Sequence, residues 1–217
     1  MNLYQSLNNN KNILLIFGGF ASHPSHFIPF IPQNYDLILL YRYQNLDFSK
    51  LKSCLNHLSK DCKITLVGFS MGVFIARVFM ESLQDTDCFV RKIAINGTEF
   101  GIHSKFGIPP KLFKLTQKTF DLEAFKRNLF GEFLSCTSDF IFLDSPILRE
   151  ELSFFITACE RFQTISSEIV WSESIVSNRD LVFNAESQKN FWIHFKNNKT
   201  RILELDAPHF VFFNWRF

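Results

Sequence analysis

Residues 68–72 read Gly68-Phe69-Ser70-Met71-Gly72, directly after the apolar run Ile64-Thr65-Leu66-Val67, and an apolar stretch without proline follows to Met80. A strand that ends in small-x-Ser-x-small and opens a helix holds its serine at the tip of a strained turn, hydroxyl exposed above a sheet. A side chain at either flanking glycine would collide with a neighbouring strand or helix, and glycine tolerates the tight backbone. The pentapeptide therefore commits this part of the chain to a strand–turn–helix unit.

The rest of the chain repeats that alternation. Strands are expected at 12–17, 36–40, 63–67, 92–95, 171–176 and 200–205, and helices at 49–59, 71–84, 109–118, 122–134, 146–162 and 185–195. Near-continuous apolar strands separated by helices imply an α/β fold with a mainly parallel sheet covered on both faces. At 217 residues the chain is most simply one domain, 1–217, large enough to bury roughly 70% of its unfolded surface. Between the fourth and fifth expected strands the sequence is wholly helix or loop, far longer than a simple crossover needs. The excess, about 98–165, reads as a helical lid inserted over the carboxyl edge of the sheet, where open α/β sheets bind ligands. The alternative is a set of packing helices with no substrate role.

Composition excludes several function classes. A formal net charge of +2 is too small for a general nucleic-acid binder. Five cysteines (Cys54, Cys62, Cys88, Cys136, Cys159) are odd in number and show no C-x-x-C spacing, against both a disulfide framework and a zinc site. Residues 1–11 are polar and asparagine-rich, without the apolar core of a secretory signal, and no apolar run approaches the ~18 residues of a membrane span. A cytoplasmic protein with free thiols is expected. The 28 phenylalanines read as leucine-like core fillers.

A serine hydroxyl needs a base, and the base an orienting acid. In the α/β-hydrolase order Ser…Asp…His these follow the last two strands. After Ser174-Ile175-Val176 comes Ser177-Asn178-Arg179-Asp180, and after Ile202-Leu203-Glu204-Leu205 comes Asp206-Ala207-Pro208-His209. Ser70, Asp180 and His209 are thus the candidate nucleophile, acid and base. Asp180 could instead cap the helix expected near 185. Asp144 is a rival acid but more naturally caps the helix that follows it. Asp206 lies too close to His209 in sequence to reach around its ring without a sharp turn. The oxyanion donors are expected to be the backbone amides of Met71 and of Phe20, the latter in Phe17-Gly18-Gly19-Phe20 after the first strand. The glycine pair could instead serve chain reversal alone.

With those residues in place the chain resembles the BioG family of pimeloyl-[acyl-carrier protein] methyl ester esterases, nearly end to end. The resemblance rests on Phe17-Gly18-Gly19-Phe20, Gly68-Phe69-Ser70-Met71-Gly72-Val73 and Ile95-Asn96-Gly97-Thr98. It continues through Gly107-Ile108-Pro109-Pro110-Lys111-Leu112-Phe113 with Thr116, Asp180-Leu181-Val182-Phe183 with Gln188 and Trp192, and Ala207-Pro208-His209-Phe210. The chain departs in carrying Phe20 where relatives often place tryptophan, and in lacking the usual proline near Asn184. The resemblance implies an α/β-hydrolase fold and hydrolysis of the methyl ester that caps a pimeloyl chain on acyl carrier protein, on the way to biotin. It implies no metal or organic cofactor. The runner-up readings are a generic short-chain carboxylesterase or thioesterase, and a non-catalytic hydrolase-fold binder.

An acidic carrier would find a basic surface on the expected lid. Between Glu99 and Phe130 lie six lysines and arginines (Lys105, Lys111, Lys114, Lys118, Lys126, Arg127) against three acids. Lys111, Lys114 and Lys118 share one helical stripe, and with Lys126 and Arg127 they are the candidate docking residues. A solvated helix face is the bland alternative. A monomer acting without nucleic acid or membrane is expected.

Overall fold

In strand β2 (Asn12–Phe17), Ile13 to Phe17 keep no more than 1% of their surface in water. Alternation sorts them. Ile13, Leu15 and Phe17 enter one hydrophobic cluster, Leu14 and Ile16 the other, as a strand covered on both faces requires. The computed structural model describes residues 1–84, 86–164, 169–195 and 200–217. Around β2 stand β1 (Asn2–Ser6), β3 (Tyr35–Tyr41), β4 (Lys63–Phe69), β5 (Phe89–Ile95), β6 (Glu173–Ser177) and β7 (Arg201–Leu205), in the spatial order β1-β3-β2-β4-β5-β6-β7. Every neighbouring pair is parallel except β1 with β3. The β5–β6 ladder is short: Ile93, Ala94 and Ile95 face Glu173, Ser174 and Ile175.

β1 corrects the reading of residues 1–11 as a plain polar segment. Asn2 faces Tyr41 and Ser6 faces Leu37 across an antiparallel ladder. A half-buried edge strand needs no apolar run, so its pattern gave little signal. The buried Asp36 carboxylate shapes the turn into β2 by accepting from the Asn8 and Asn10 amides at 3.0 and 3.2 Å and from Asn10 Nδ2 at 2.8 Å.

The helices are α1 (Pro24–Phe27), α2 (Ser49–Asn56), α3 (Gly72–Glu81), α4 (Pro110–Lys118), α5 (Leu122–Phe130), α6 (Ser145–Arg161) and α7 (Ala185–Asn190). Four of them end three or more residues before the expected bound: α2 at Asn56, α3 at Glu81, α5 at Phe130 and α7 at Asn190. α5 stops where Gly131 takes φ +53°, and a 3-10 stretch, Gly131–Cys136, replaces its last turn. α7 gives way to a π-helical turn, Phe191–Phe195. Asp121 and Asn184 cap α5 and α7, accepting from the Ala124 and Ser187 amides at 2.6 and 3.0 Å.

α3 packs on the first face with nine successive residues, Gly72 to Met80, buried. Short helices leave the second face to aromatic side chains: Phe27, Phe30, Phe130, Phe210 and Phe212 converge on Phe69 and the even-numbered residues of β2. Each such ring pair adds about 0.5–1.5 kcal/mol beyond its buried area, which gives many of the phenylalanines their place. Between β5 and β6 the chain builds α4, α5, the 3-10 stretch and α6; position 165, where the expected insertion ends, lies outside the described residues. Among the described residues no helix is long and apolar enough to cross a membrane.

Candidate active site

Ser70 follows the last residue of β4 and takes φ +56°, a conformation that costs a non-glycine residue of the order of 1–3 kcal/mol. The cost is met by its surroundings. The Ser70 amide donates to the Ile95 carbonyl at 2.7 Å, and the Ser70 carbonyl accepts from the Val73 amide at 3.1 Å. Gly72 lets the end of β2 approach, since a Cβ there would stand 1.9 Å from the Phe17 carbonyl oxygen. Gly19 brings the next loop against the serine, its own imagined Cβ 2.7 Å from Ser70 Cβ. The glycine pair therefore does more than reverse the chain.

Asp180 and His209 stand on the loops after β6 and β7. His209 Nδ1 lies 2.7 Å from Asp180 Oδ2, both side chains almost wholly out of water. Asp180 also accepts from the Val182 and Phe183 amides at 2.8 and 2.7 Å through Oδ1, and from Gln188 Nε2 at 3.2 Å through Oδ2. A carboxylate surrounded by donors makes His209 Nδ1 the protonated nitrogen and leaves Nε2 its lone pair. Asp180 does not cap α7, because Asn184 does. Asp144 occupies the N-cap position of α6 without a capping bond from its side chain. Asp206 is exposed and bound by Arg179 at 2.6 Å, and the same guanidinium reaches Glu132 at 2.6 Å.

One cavity of about 200 Å³ is lined by both Ser70 and His209. Its walls are apolar: Phe20, Met71, Ile108, Phe113, Phe125 and Leu129 among others, with Leu152 from α6. Leu112 and Leu181 line it while remaining 52% and 71% exposed, which marks its mouth. Of the phenylalanines between β5 and β6, Phe113 and Phe125 face this cavity, whereas Phe130 is buried among Phe140, Phe142 and Phe210. Among the described residues, no hydrogen bond engages the amide of Phe20 or of Met71.

Lys114 pairs with Glu160 at 3.0 Å and Lys126 with Glu123 at 2.7 Å, while Lys111, Lys118 and Arg127 are exposed and enter no ion pair among the described residues. Sequence reasoning missed two polar groups beside the site. Asn96, in the quoted Ile95-Asn96-Gly97-Thr98, is fully buried and donates to the His209 carbonyl. Glu151 on α6 is buried against the loops after β2 and β3. The first carried only a motif resemblance, and the second no signal beyond an acid on an apolar helical face.

A family model described as pimeloyl-ACP methyl esterase BioG matches residues 2–217. The chain belongs to the BioG family. The crystal structure of BioG from Haemophilus influenzae superposes with a TM-score of 0.81 at 24% identity, covering 99% of this chain and 96% of that one. A thermophilic esterase follows at a TM-score of 0.59 and 13% identity, covering 97% and 86% of the two chains. The fold is that of the α/β-hydrolases. Among curated relatives, a malonyl-[acyl-carrier protein] O-methyltransferase of Bacteroides fragilis is 32% identical over 208 residues, 92% of this chain. This BioG-family chain spans 40% of that protein's length.

Proposed function

We propose that this chain is a serine esterase that hydrolyses the methyl ester of a pimeloyl group carried on acyl carrier protein, in biotin synthesis. The observation that carries the reading is the buried Asp180–His209 pair, 2.7 Å apart, beside Ser70 at one apolar cavity.

In this reading His209 Nε2 takes the Ser70 proton as Oγ attacks the ester carbonyl. The developing oxyanion receives the Phe20 and Met71 amides, and Asp180 stabilises the imidazolium. His209 then protonates the departing methoxide, so methanol leaves and the acyl group stays on Ser70. Water, activated by His209, hydrolyses that acyl-enzyme and frees the carboxylate. The residue set needs no cofactor. The acyl chain lies along Phe113, Phe125 and Leu129, and its carrier-bound end leaves between Leu112 and Leu181. The segment from α4 to α6 acts as the lid of a single domain, and its basic face steers an acidic carrier.

The test is methanol release from pimeloyl-carrier-protein methyl ester by the purified monomeric chain, with Ser70→Ala alongside. Turnover that vanishes in the variant supports esterase and nucleophile together. Hydrolysis of simple p-nitrophenyl esters without methanol release keeps the serine chemistry and removes the biotin assignment. Silence on both leaves a binding protein.

A further inference from the structure

Glu151 is an acid that the proposed mechanism does not use, and it lies 2% exposed in the interior. It belongs to the inward stripe of α6 with Leu148, Leu152 and Phe155, the side that packs into the first core. Its two oxygens are divided between two loops. Oε2 accepts from the Ala21 amide at 3.1 Å, and Oε1 accepts from the Tyr43 amide at 2.9 Å. An unpaired carboxylate at such depth would be costly, so the two bonds hold the side chain as firmly as the side chain holds the loops.

The Ala21 bond matters because of where it falls. Ala21 follows Phe20, whose amide is the proposed oxyanion donor, and Ala21 is itself held at φ +60°. A non-glycine residue keeps that conformation only where its surroundings enforce it. The turn is tied on its other side by the Ser22 amide, which donates to the Gly19 carbonyl at 3.3 Å. From Glu151 to the reacting carbonyl the path is therefore short: carboxylate, Ala21 amide, the Phe20–Ala21 peptide, Phe20 amide. Leu152, the next residue of α6, lines the cavity, so one helix shapes both the acyl wall and the oxyanion loop.

We propose that Glu151 is a positioning residue of the esterase, its carboxylate fixing the turn at Ala21 so that the Phe20 amide meets the oxyanion. This inference rests on the serine-esterase reading above. It ties the seating of α6 to the oxyanion donor.

Glu151→Gln tests it, because the amide keeps the size but sets an N–H₂ group against one of the two backbone donors. Kinetics are measured on p-nitrophenyl butyrate and on the carrier-bound methyl ester, with the exposed neighbour Glu150→Gln as control. In folded Glu151→Gln, kcat should fall roughly ten- to hundredfold on both esters, short of the ~10²–10³ lost when an oxyanion donor is removed outright. KM should stay within about twofold, and Glu150→Gln should match wild type. Affinity for a trifluoromethyl ketone, whose serine adduct carries the oxyanion, should fall by the same factor as kcat/KM. Binding of the unreactive methyl ketone should not move. Unchanged kcat in a folded Glu151→Gln, or a rise in KM alone, overturns the inference and leaves the esterase reading standing. If Glu151→Gln does not fold, Glu151→Asp withdraws the same acceptors by one methylene, and wild-type kcat there is equally fatal. Loss of fold in both variants assigns the carboxylate to structure and also overturns the proposal. A wild type silent on both esters removes reading and inference together.

Discussion

Asn96 donates from Nδ2 to the His209 carbonyl and, at 2.8 Å, to Ser177 Oγ, while its Oδ1 accepts from the Ser177 amide at 2.8 Å. One side chain thus ties the ends of β5 and β6 to the loop that carries the histidine. Asn96 also sits at φ +49°, which asparagine tolerates better than alanine.

Asn96→Ala should therefore lose about 3 kcal/mol or more of stability, from buried partners left unpaired and from the left-handed backbone. Turnover should fall with it. Urea unfolding beside ester hydrolysis checks both, and a variant as stable as wild type would contradict this account.

Asp180→Asn preserves shape and the two bonds from Val182 and Phe183. It offers His209 Nδ1 an amide that favours the wrong tautomer. A loss of roughly 10³–10⁴ in kcat is expected, by analogy with other serine hydrolases, with the fold retained by circular dichroism. A loss under tenfold would remove Asp180 from the proposed role.

Burial pushes the Glu151 carboxyl from its ordinary 4.5 up to about 7, against the Tyr43 and Ala21 amides and the positive charges of Arg42 and the Met1 ammonium. The folded chain holds this proton more tightly than the unfolded one. Glu151's contribution to stability is thus fully present below pH 4.5 and is lost as pH rises through about 7, about 3 kcal/mol in all. Glu151→Gln should lack that decline in urea midpoints measured between pH 5 and 8. The ionised form that grips both amides is the less stable one.

Charge reversal should be aimed at Lys111 and Lys118, since Lys114 is engaged by Glu160. The double variant Lys111→Glu/Lys118→Glu should raise KM for the carrier-bound ester several-fold, an effect that added salt diminishes. Hydrolysis of p-nitrophenyl butyrate should not change. An equal effect on both substrates would remove docking from the basic face.

Most of the sheet was legible because buried parallel strands are continuous apolar runs, and the serine turn because its glycines, Gly68 and Gly72, answer to collisions with Val73 and with the end of β2. β1 was not, since its residues are only partly buried and hold their place through pairing with β3. The helix expected through residue 134 ends at Gly131 for a backbone reason that a helical apolar pattern overrides on paper. Asn96 and Glu151 were illegible as site residues. Their roles lie in bonds to backbone groups far along the chain, and no spacing rule encodes those.

The short β5–β6 ladder divides the sheet into two blocks. The larger carries Ser70, and the smaller carries both Asp180 and His209. Three paired ladder positions, Asn96 and the Arg91–Glu173 pair lie along the seam between them, and both hydrophobic clusters cross it, so parting it opens the shared core and separates the proposed nucleophile from the proposed base. Mild denaturant should silence the protein before its helices melt, which makes turnover a finer gauge of this seam than any spectroscopic measure of secondary structure.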